Sequence, residues 1–369
     1  MNLPNSPLRQ MLPLCALLFV LICLTGFSPA LAQGNDRAFG DVQVLATVPF
    51  PPGFPEGIAV NGNRAYVAGP ARFGTAGEPP SKVFAYDTRT GETVREYAIQ
   101  GENTALEHAN SCVAFDGNGR LYVVNTQFGI VRLDTGSGAQ TVYASPLPDL
   151  HPCATNPAPC SPTFLDLPPL PNDIAFDDDG NLYETDSFQA TIWRIPAGGG
   201  QPQIWFQDSR LDTPFGPNGL RLSPDRTKIY FVVTAEGVGM FGNFLGGKIY
   251  TLPLVDAPTA ADLQVFHQYN GEGPDGIAFG RTGKLYVVLA APFSSGVSIL
   301  RPDGTEESRL TNTTDPFSPY DSPANAAFNK HGSLLLTNHA FATGIPSHFT
   351  VLDVFVGDKE SPLVRPDVP

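Results

Sequence analysis

One short pattern recurs six times along this chain, and a recurring pattern narrows the choice of fold more than composition does, because it demands a repeat architecture. The copies are Pro55-Glu56-Gly57-Ile58-Ala59-Val60, Asn110-Ser111-Cys112-Val113-Ala114-Phe115, Pro171-Asn172-Asp173-Ile174-Ala175-Phe176, Pro217-Asn218-Gly219-Leu220-Arg221-Leu222, Pro274-Asp275-Gly276-Ile277-Ala278-Phe279 and Pro323-Ala324-Asn325-Ala326-Ala327-Phe328. Their second residues fall at 56, 111, 172, 218, 275 and 324, so the intervals are 55, 61, 46, 57 and 49 residues. Propeller blades of about 40 to 50 residues with loop insertions have this period.

Each copy continues alike: a short apolar run, a turn, a second run of β-branched and aromatic residues, a turn, and usually two more runs. In the fifth copy the runs are 276–279, 285–289, 297–301 and 306–310, separated by Arg281-Thr282-Gly283, by Phe293-Ser294-Ser295-Gly296 and by Pro302-Asp303-Gly304-Thr305. These connections place Gly where hairpins need a positive φ. The third copy repeats the scheme, turning at Asp177-Asp178-Asp179-Gly180 and at Gly198-Gly199-Gly200. The Asp run lacks the spacing of a calcium-binding helix-loop-helix, and the triple Gly lacks the Lys-Ser/Thr of a phosphate loop, so both read as turns. The sixth copy lacks a fourth run, whereas 41–48 is an unassigned strand-like run at the other end. The expectation is an all-β, six-bladed β-propeller of four-stranded antiparallel blades, with the N-terminal run closing the ring.

Ahead of the repeats, Arg9 precedes an apolar run from Met11 to Phe27, and Ala30-Leu31-Ala32 stands before Gln33. This is the pattern of a secretory signal peptide over 1–32, leaving one domain over 33–369, secreted or periplasmic. The apolar run is shorter than the roughly 20 residues a spanning helix needs, so no membrane anchor is expected after cleavage. The mature chain carries 21 Lys plus Arg against 36 Asp plus Glu, a net charge of −15. Such a field repels phosphate backbones and attracts cations, which argues against nucleic acid as a partner. Of the cysteines, Cys153 and Cys160 bracket a short loop and are expected to be bonded in an oxidising compartment, leaving Cys112 buried in an apolar strand. Their loop belongs to a 26-residue insertion, 146–171, with nine prolines. That is too long for a plain connector, and reads either as a lid over the channel or as an ordered surface excursion. Trp193 and Trp205 fall inside strands and read as core.

In a propeller the first strand of each blade lines the channel, and all first strands enter from one rim. The second residues of the copies therefore converge: Glu56, Ser111, Asn172, Asn218, Asp275 and Ala324. Two carboxylates and two amides, hard oxygen donors without His or Cys, suit Ca²⁺ at about 2.3 to 2.6 Å. Asn or Asp before Gly also makes turns without any metal, but Glu56 is a poor turn former and the four oxygens sit at equivalent repeat positions.

Glu56-Gly57, Asn172-Asp173, Asn218-Gly219 and Asp275-Gly276 resemble, in that order, the metal-ligand signature of the regucalcin/gluconolactonase propellers. The resemblance implies one divalent cation, Ca²⁺ or alternatively Zn²⁺, Mn²⁺ or Mg²⁺, held by Glu56, Asn172, Asn218 and Asp275, and hydrolysis of a lactone or related ester. Sugar-lactone members carry Arg two residues before the blade-three Asn, where this chain has Leu170, and many have Trp after the blade-one Glu-Gly, where it has Ile58. Ile58, Phe215 and Phe293 would suit a more apolar ligand if they reach the mouth. His108 lies near where paraoxonase-like propellers use a His as base, three residues out of register with Ser111, while His339 reads as structural.

The expected function is thus a secreted metal-dependent lactone or ester hydrolase acting on a small molecule. Its candidate proton acceptors are Asp275, Asp173 and His108. The alternative is a non-catalytic NHL-like binding propeller with a structural cation, and fold alone does not separate the two.

Overall fold

The computed structural model describes residues 37–239 and 243–369. The expected leader, with Cys15 and Cys23, lies outside them. Residues 38–369 form one compact unit of six four-stranded antiparallel sheets, plus a two-stranded hairpin, Gly237–Val238 with Phe244–Leu245. The innermost strands are Ile58–Asn61, Asn110–Phe115, Pro171–Phe176, Phe215–Leu222, Pro274–Phe279 and Pro323–Phe328. Four blades use consecutive strands, and in the fourth blade the two-stranded hairpin is inserted between the second and third strands. The sixth takes its outer strand from Val42–Thr47, which pairs antiparallel with Thr350–Phe355, Val42 opposite Val354 and Thr47 opposite Thr350.

The repeat also sets how blades pack. Its fourth residues (Ile58, Val113, Ile174, Leu220, Ile277, Ala326) are all buried, as alternation along a strand with two covered faces requires. Its sixth residue meets a Tyr from the second strand of the preceding blade: Tyr66 on Phe115, Tyr122 on Phe176, Tyr230 on Phe279 and Tyr286 on Phe328, all edge-on with centroids 4.9–5.1 Å apart. Such pairs add about 0.5–1.5 kcal/mol each beyond area burial. Where the sixth residue is Leu222, Tyr183 turns to Trp205 instead. Trp193 and Trp205 are buried.

Two segments outside the repeat are ordered against it. The Pro-rich insertion is stapled by the Cys153–Cys160 disulfide and folds onto blade three: Leu150 N donates to Gln189 Oε1, Gln189 Nε2 to Pro148 O and Ser161 Oγ to Gln189 O, while Leu147 and Leu150 cover Trp193. The C-terminal tail crosses beneath the channel. Ser361 N donates to Phe279 O on blade five, Arg365 Nη2 to Val60 O on blade one, and Gly117 N on blade two to Pro366 O. Val368 ends buried between blades two and three.

Candidate metal centre

The second and third residues of every copy sit in a β-bulge. In blade three Pro171 pairs with Asp186 and Ile174 with Glu184, so Asn172 and Asp173 together oppose Thr185 alone. The same two-against-one register occurs in blades two, four, five and six. In blade one Glu56 N donates to Ala68 O and Ala68 N to Gly57 O, the bulge bonding pattern. A bulge re-aims side chains. Here it turns the second residue up into the channel mouth and the third across the channel towards the next blade.

The approach at the third position is too close for most side chains. A Cβ on Gly57 would strike the Cys112 backbone, one on Gly219 the Asp275 backbone and one on Gly276 the Asn325 backbone. Only Cys112, Asp173 and Asn325 carry side chains at this level. Asp173 is fully engaged: Oδ1 accepts from Ile174 N at 2.8 Å and from the Cys112 thiol at 2.6 Å, and Oδ2 accepts from Leu220 N at 2.9 Å and Arg221 Nη1 at 2.7 Å. Arg221 Nη2 also donates to Asn325 Oδ1 at 3.3 Å. Burial opposes the Arg221 charge, but Asp173 more than restores it, holding its pKa above the ordinary value. Arg221 is the fifth residue of its copy, where the other five carry Ala59, Ala114, Ala175, Ala278 and Ala327. One guanidinium thus stands at a position where the other five blades place methyl groups.

Above this layer stand the oxygen donors. Asn172 Nδ2 is taken up by Ser187 Oγ at 3.5 Å and Asn218 Nδ2 by Thr234 Oγ1 at 2.9 Å. Ser187 and Thr185 in turn donate to Pro217 O and Asn218 O, both at 2.7 Å, fixing blade four against blade three. Across the ring closure, Thr337 Oγ1 donates to Glu56 O at 2.5 Å. Glu56 and Asp275 make no ion pair with Lys or Arg among the described residues, and both are only partly exposed. Desolvation, then Asp275 and Asp173, push the Glu56 carboxyl well up; desolvation, then Asp173, do the same to Asp275, offset in part by a hydrogen bond from Asn218.

The charge count is informative. Asp173 is balanced by Arg221, so among the second and third residues of the copies the carboxylates without a cationic side chain are Glu56 and Asp275, together −2. Like charges in a desolvated site either protonate or take up a cation. Among the described residues no three His, Cys, Asp or Glu side chains converge in metal-holding geometry. The available set is two carboxylates and two amides, whose hard oxygens and summed charge fit a divalent oxygen-seeking ion.

The other expected residues are placed elsewhere. Asp173 lies one layer below the donors with its lone pairs occupied. His108 is buried, with Nδ1 on Leu106 O at 2.8 Å and Nε2 on Pro79 O at 3.0 Å, so it braces a loop and makes no hydrogen bond to the ring of donors. Ser111 Oγ donates to Pro171 O, and Ile58 is in the core between blades six and one rather than at the mouth. Conversely, His339, expected to be structural, stands beside the donors: its Nε2 lies 3.5 Å from Glu56 Oε2 and 2.8 Å from Ala71 O. Burial lowers its pKa to about 4, so the ring is neutral at pH 7. No motif announces His339, since the loop that brings it to Glu56 spans the join between the last blade and the first. Arg221 was visible as the exception in a column of alanines.

By sequence the chain matches no protein-family model and no curated protein. In three dimensions it is similar to a calcium-binding protein, regucalcin, from Agrobacterium tumefaciens (18% identity, 89% of this chain and 98% of that one, TM-score 0.60). It is also similar to a gluconolactonase from Xanthomonas campestris (18% identity, 85% and 89%, TM-score 0.53) and to a luciferin-regenerating enzyme (15% identity, 89% and 100%, TM-score 0.55). At these identities the likeness establishes the shared six-bladed propeller fold.

Proposed function

We propose that this protein is an exported hydrolase that opens a small lactone or related ester at the channel mouth with the help of one divalent cation, Ca²⁺ by preference, held by Glu56, Asn172, Asn218 and Asp275. The observation that carries the proposal is the pair of uncompensated carboxyls, Glu56 and Asp275, standing with two oriented amides above a neutralised Asp173–Arg221 layer. The gluconolactonase on the same fold supports the reaction class, and the regucalcin supports the ion. Export is supported by the leader pattern and by the Cys153–Cys160 bond.

A cation at these donors would polarise the ester carbonyl and make a neighbouring water more acidic. The chain's own residues do the rest. Asp275, the one expected acceptor left facing the mouth, takes a proton as the water oxygen bonds to the carbonyl carbon. The acyl C–O bond then breaks and the departing oxygen receives the proton, so lactone plus water gives the hydroxy acid. His339, neutral and with Nε2–H between Ala71 O and Glu56 Oε2, orients the Glu56 carboxylate. Ser187 and Thr234 hold the amides of Asn172 and Asn218, and Arg221 with the C-terminal tail keeps bulk water from entering from below.

The test is a panel of lactones and aryl esters offered to the mature chain with and without chelator, alongside calorimetric titration of the metal-stripped protein. Chelator-sensitive turnover is the expected result. Cation binding without turnover of any ester would leave a binding propeller, and no binding of Ca²⁺, Mg²⁺, Mn²⁺ or Zn²⁺ would reduce the four donors to turn residues.

A further inference from the structure

The loops at the donor end of the channel carry several aromatic rings, and some of these adjoin the donor-holding residues in sequence. The loop 70–81, between the second and third strands of blade one, is laid across blade two. Glu107 Oε2 accepts from Gly74 N at 3.0 Å and from Thr75 N and Oγ1 at 3.1 Å, His108 N donates to Thr75 Oγ1 at 2.9 Å, and Gly77 N donates to Thr104 O at 2.7 Å. The loop thereby carries Phe73 to blade three, where its ring stacks on Phe188 at 6.2 Å and 5°. Phe188 meets Phe215 edge-on at 5.9 Å. Phe188 follows Ser187, whose hydroxyl holds Asn172, and Phe215 lies three residues before Asn218 on one strand. Beside Glu56, Phe341 stacks on His339 at 6.0 Å.

Leaving such rings in water is unfavourable unless something covers them. Phe73 and Phe341 are each 62% exposed and Phe293 75%. Two of the three are presented from left-handed backbone. Phe293 has φ +68°, Ala340 before Phe341 has φ +56°, and five of the six non-Gly residues at positive φ (Phe54, Ala190, Phe293, Ser322, Ala340) lie in loops of this face. Backbone strain of this kind collects at binding sites. A polyhydroxylated ring would lose hydrogen bonds to water against these phenyl faces; a hydrocarbon would not.

We propose that the mouth binds the apolar substituent, an alkyl chain or aryl group, of the cyclic ester whose carbonyl faces the donors, with Phe73 and Phe188 as the specificity-determining residues. This rests on the hydrolase reading above. The experiment measures binding separately from turnover. The probes are 5-octylpyrrolidin-2-one and 5-methylpyrrolidin-2-one, unhydrolysed lactam isosteres of an alkyl γ-lactone, titrated calorimetrically into the parent, Phe73→Ala, Phe188→Ala and Phe73→Tyr, with kcat/KM for the matching lactones. The octyl lactam should bind the parent at least about tenfold more tightly than the methyl lactam. Phe73→Ala and Phe188→Ala should erase that preference, and Phe73→Tyr, which keeps the stack, should retain it. In the two alanine variants the octyl lactone should lose at least about tenfold more kcat/KM than the methyl lactone does.

Equal affinity for both lactams, or a preference that survives both alanine variants, would overturn the proposal, as would gluconolactone outcompeting the octyl lactam. So would phosphatidylcholine vesicle binding that Phe73→Ala abolishes without any lactam preference, since the rings would then face a lipid surface. If no lactone is hydrolysed but the lactam preference holds and depends on Phe73, the apolar-ligand assignment stands and the hydrolase reading alone falls.

Discussion

The two ends of this channel are lined by the same six strands, yet they have opposite characters. At the upper end the second residues of the repeat carry carboxylate and amide oxygens without enough cationic partners, and the loops above them expose phenyl rings from strained backbone. At the lower end the fifth residues are alanine in five blades and the tail 358–369 closes the opening with backbone hydrogen bonds and the buried Val368. Between them lies the Asp173–Arg221 pair. What divides the ends is the bulge: it interrupts the two-residue period once per strand, so that polar residues can point into the mouth while the rest of each strand stays apolar. Local conflict with folding is concentrated at one end, and the other is built for stability.

Breaking the upper end should cost activity far more than stability. Asp275→Ala should lower kcat/KM by about a thousandfold, of order 4 kcal/mol, and abolish the rise in melting temperature on adding Ca²⁺, read by activity assay and by scanning calorimetry. Asp275→Asn should keep part of the calcium response. In cation-free protein the pH dependence has an unusual sign for carboxylates. Because the folded pKa of Glu56 is raised, the stability it contributes is fully present below its unfolded value and lost as pH rises through the folded one. Glu56→Gln should therefore melt higher than the parent without cation once the pH exceeds that raised folded value and match it below the unfolded value, and the advantage at the higher pH should vanish once Ca²⁺ is present. A mutant no more stable than the parent would show that the two carboxyls do not repel.

A change at the divide should damage both ends. Arg221→Ala leaves Asp173 buried without its cation and should destabilise by about 3 kcal/mol in urea unfolding, with weaker calcium binding because the freed carboxylate disturbs the layer beneath the donors. Arg221→Ala combined with Asp173→Asn should recover part of the loss. At the lower end alone, Val368→Ala removes buried methyl groups and should cost about 1.5 kcal/mol with kcat/KM unchanged. The smallest effect belongs to the upper loops. Glu107→Gln weakens the clasp on the loop 70–81 and should cost less than about 1 kcal/mol, raising KM for alkyl lactones while leaving kcat alone. The lowered pKa of Glu107, due first to the Thr75 backbone N–H, means the clasp is intact at neutral pH and is lost only as pH falls through that lowered value. If Glu107→Gln instead lowered kcat for the smallest lactone, the loop would be part of the machinery and not of the mouth.

Much of this molecule was legible without coordinates. The six copies, their period and their turns specify a propeller because each copy is a sheet too small to bury its own faces and must stack on its neighbours. The equivalence of Glu56, Asn172, Asn218 and Asp275 was legible too, since the same position of each repeat stands at the start of an innermost strand. What the sequence left open depended on contacts between residues far apart in the chain. The neutralisation of Asp173 by Arg221, the fastening of His108 under a loop and not beside the donors, and the placing of His339 against Glu56 across 283 residues all follow from how blades close on one another. The tail's role as a floor and the reach of Phe73 to Phe188 belong to the same class. A repeat dictates periodic contacts through local pattern and shared burial; ionisation, access and the aim of each side chain depend on which non-equivalent neighbours the closed ring sets beside it, and only the tertiary structure decides that.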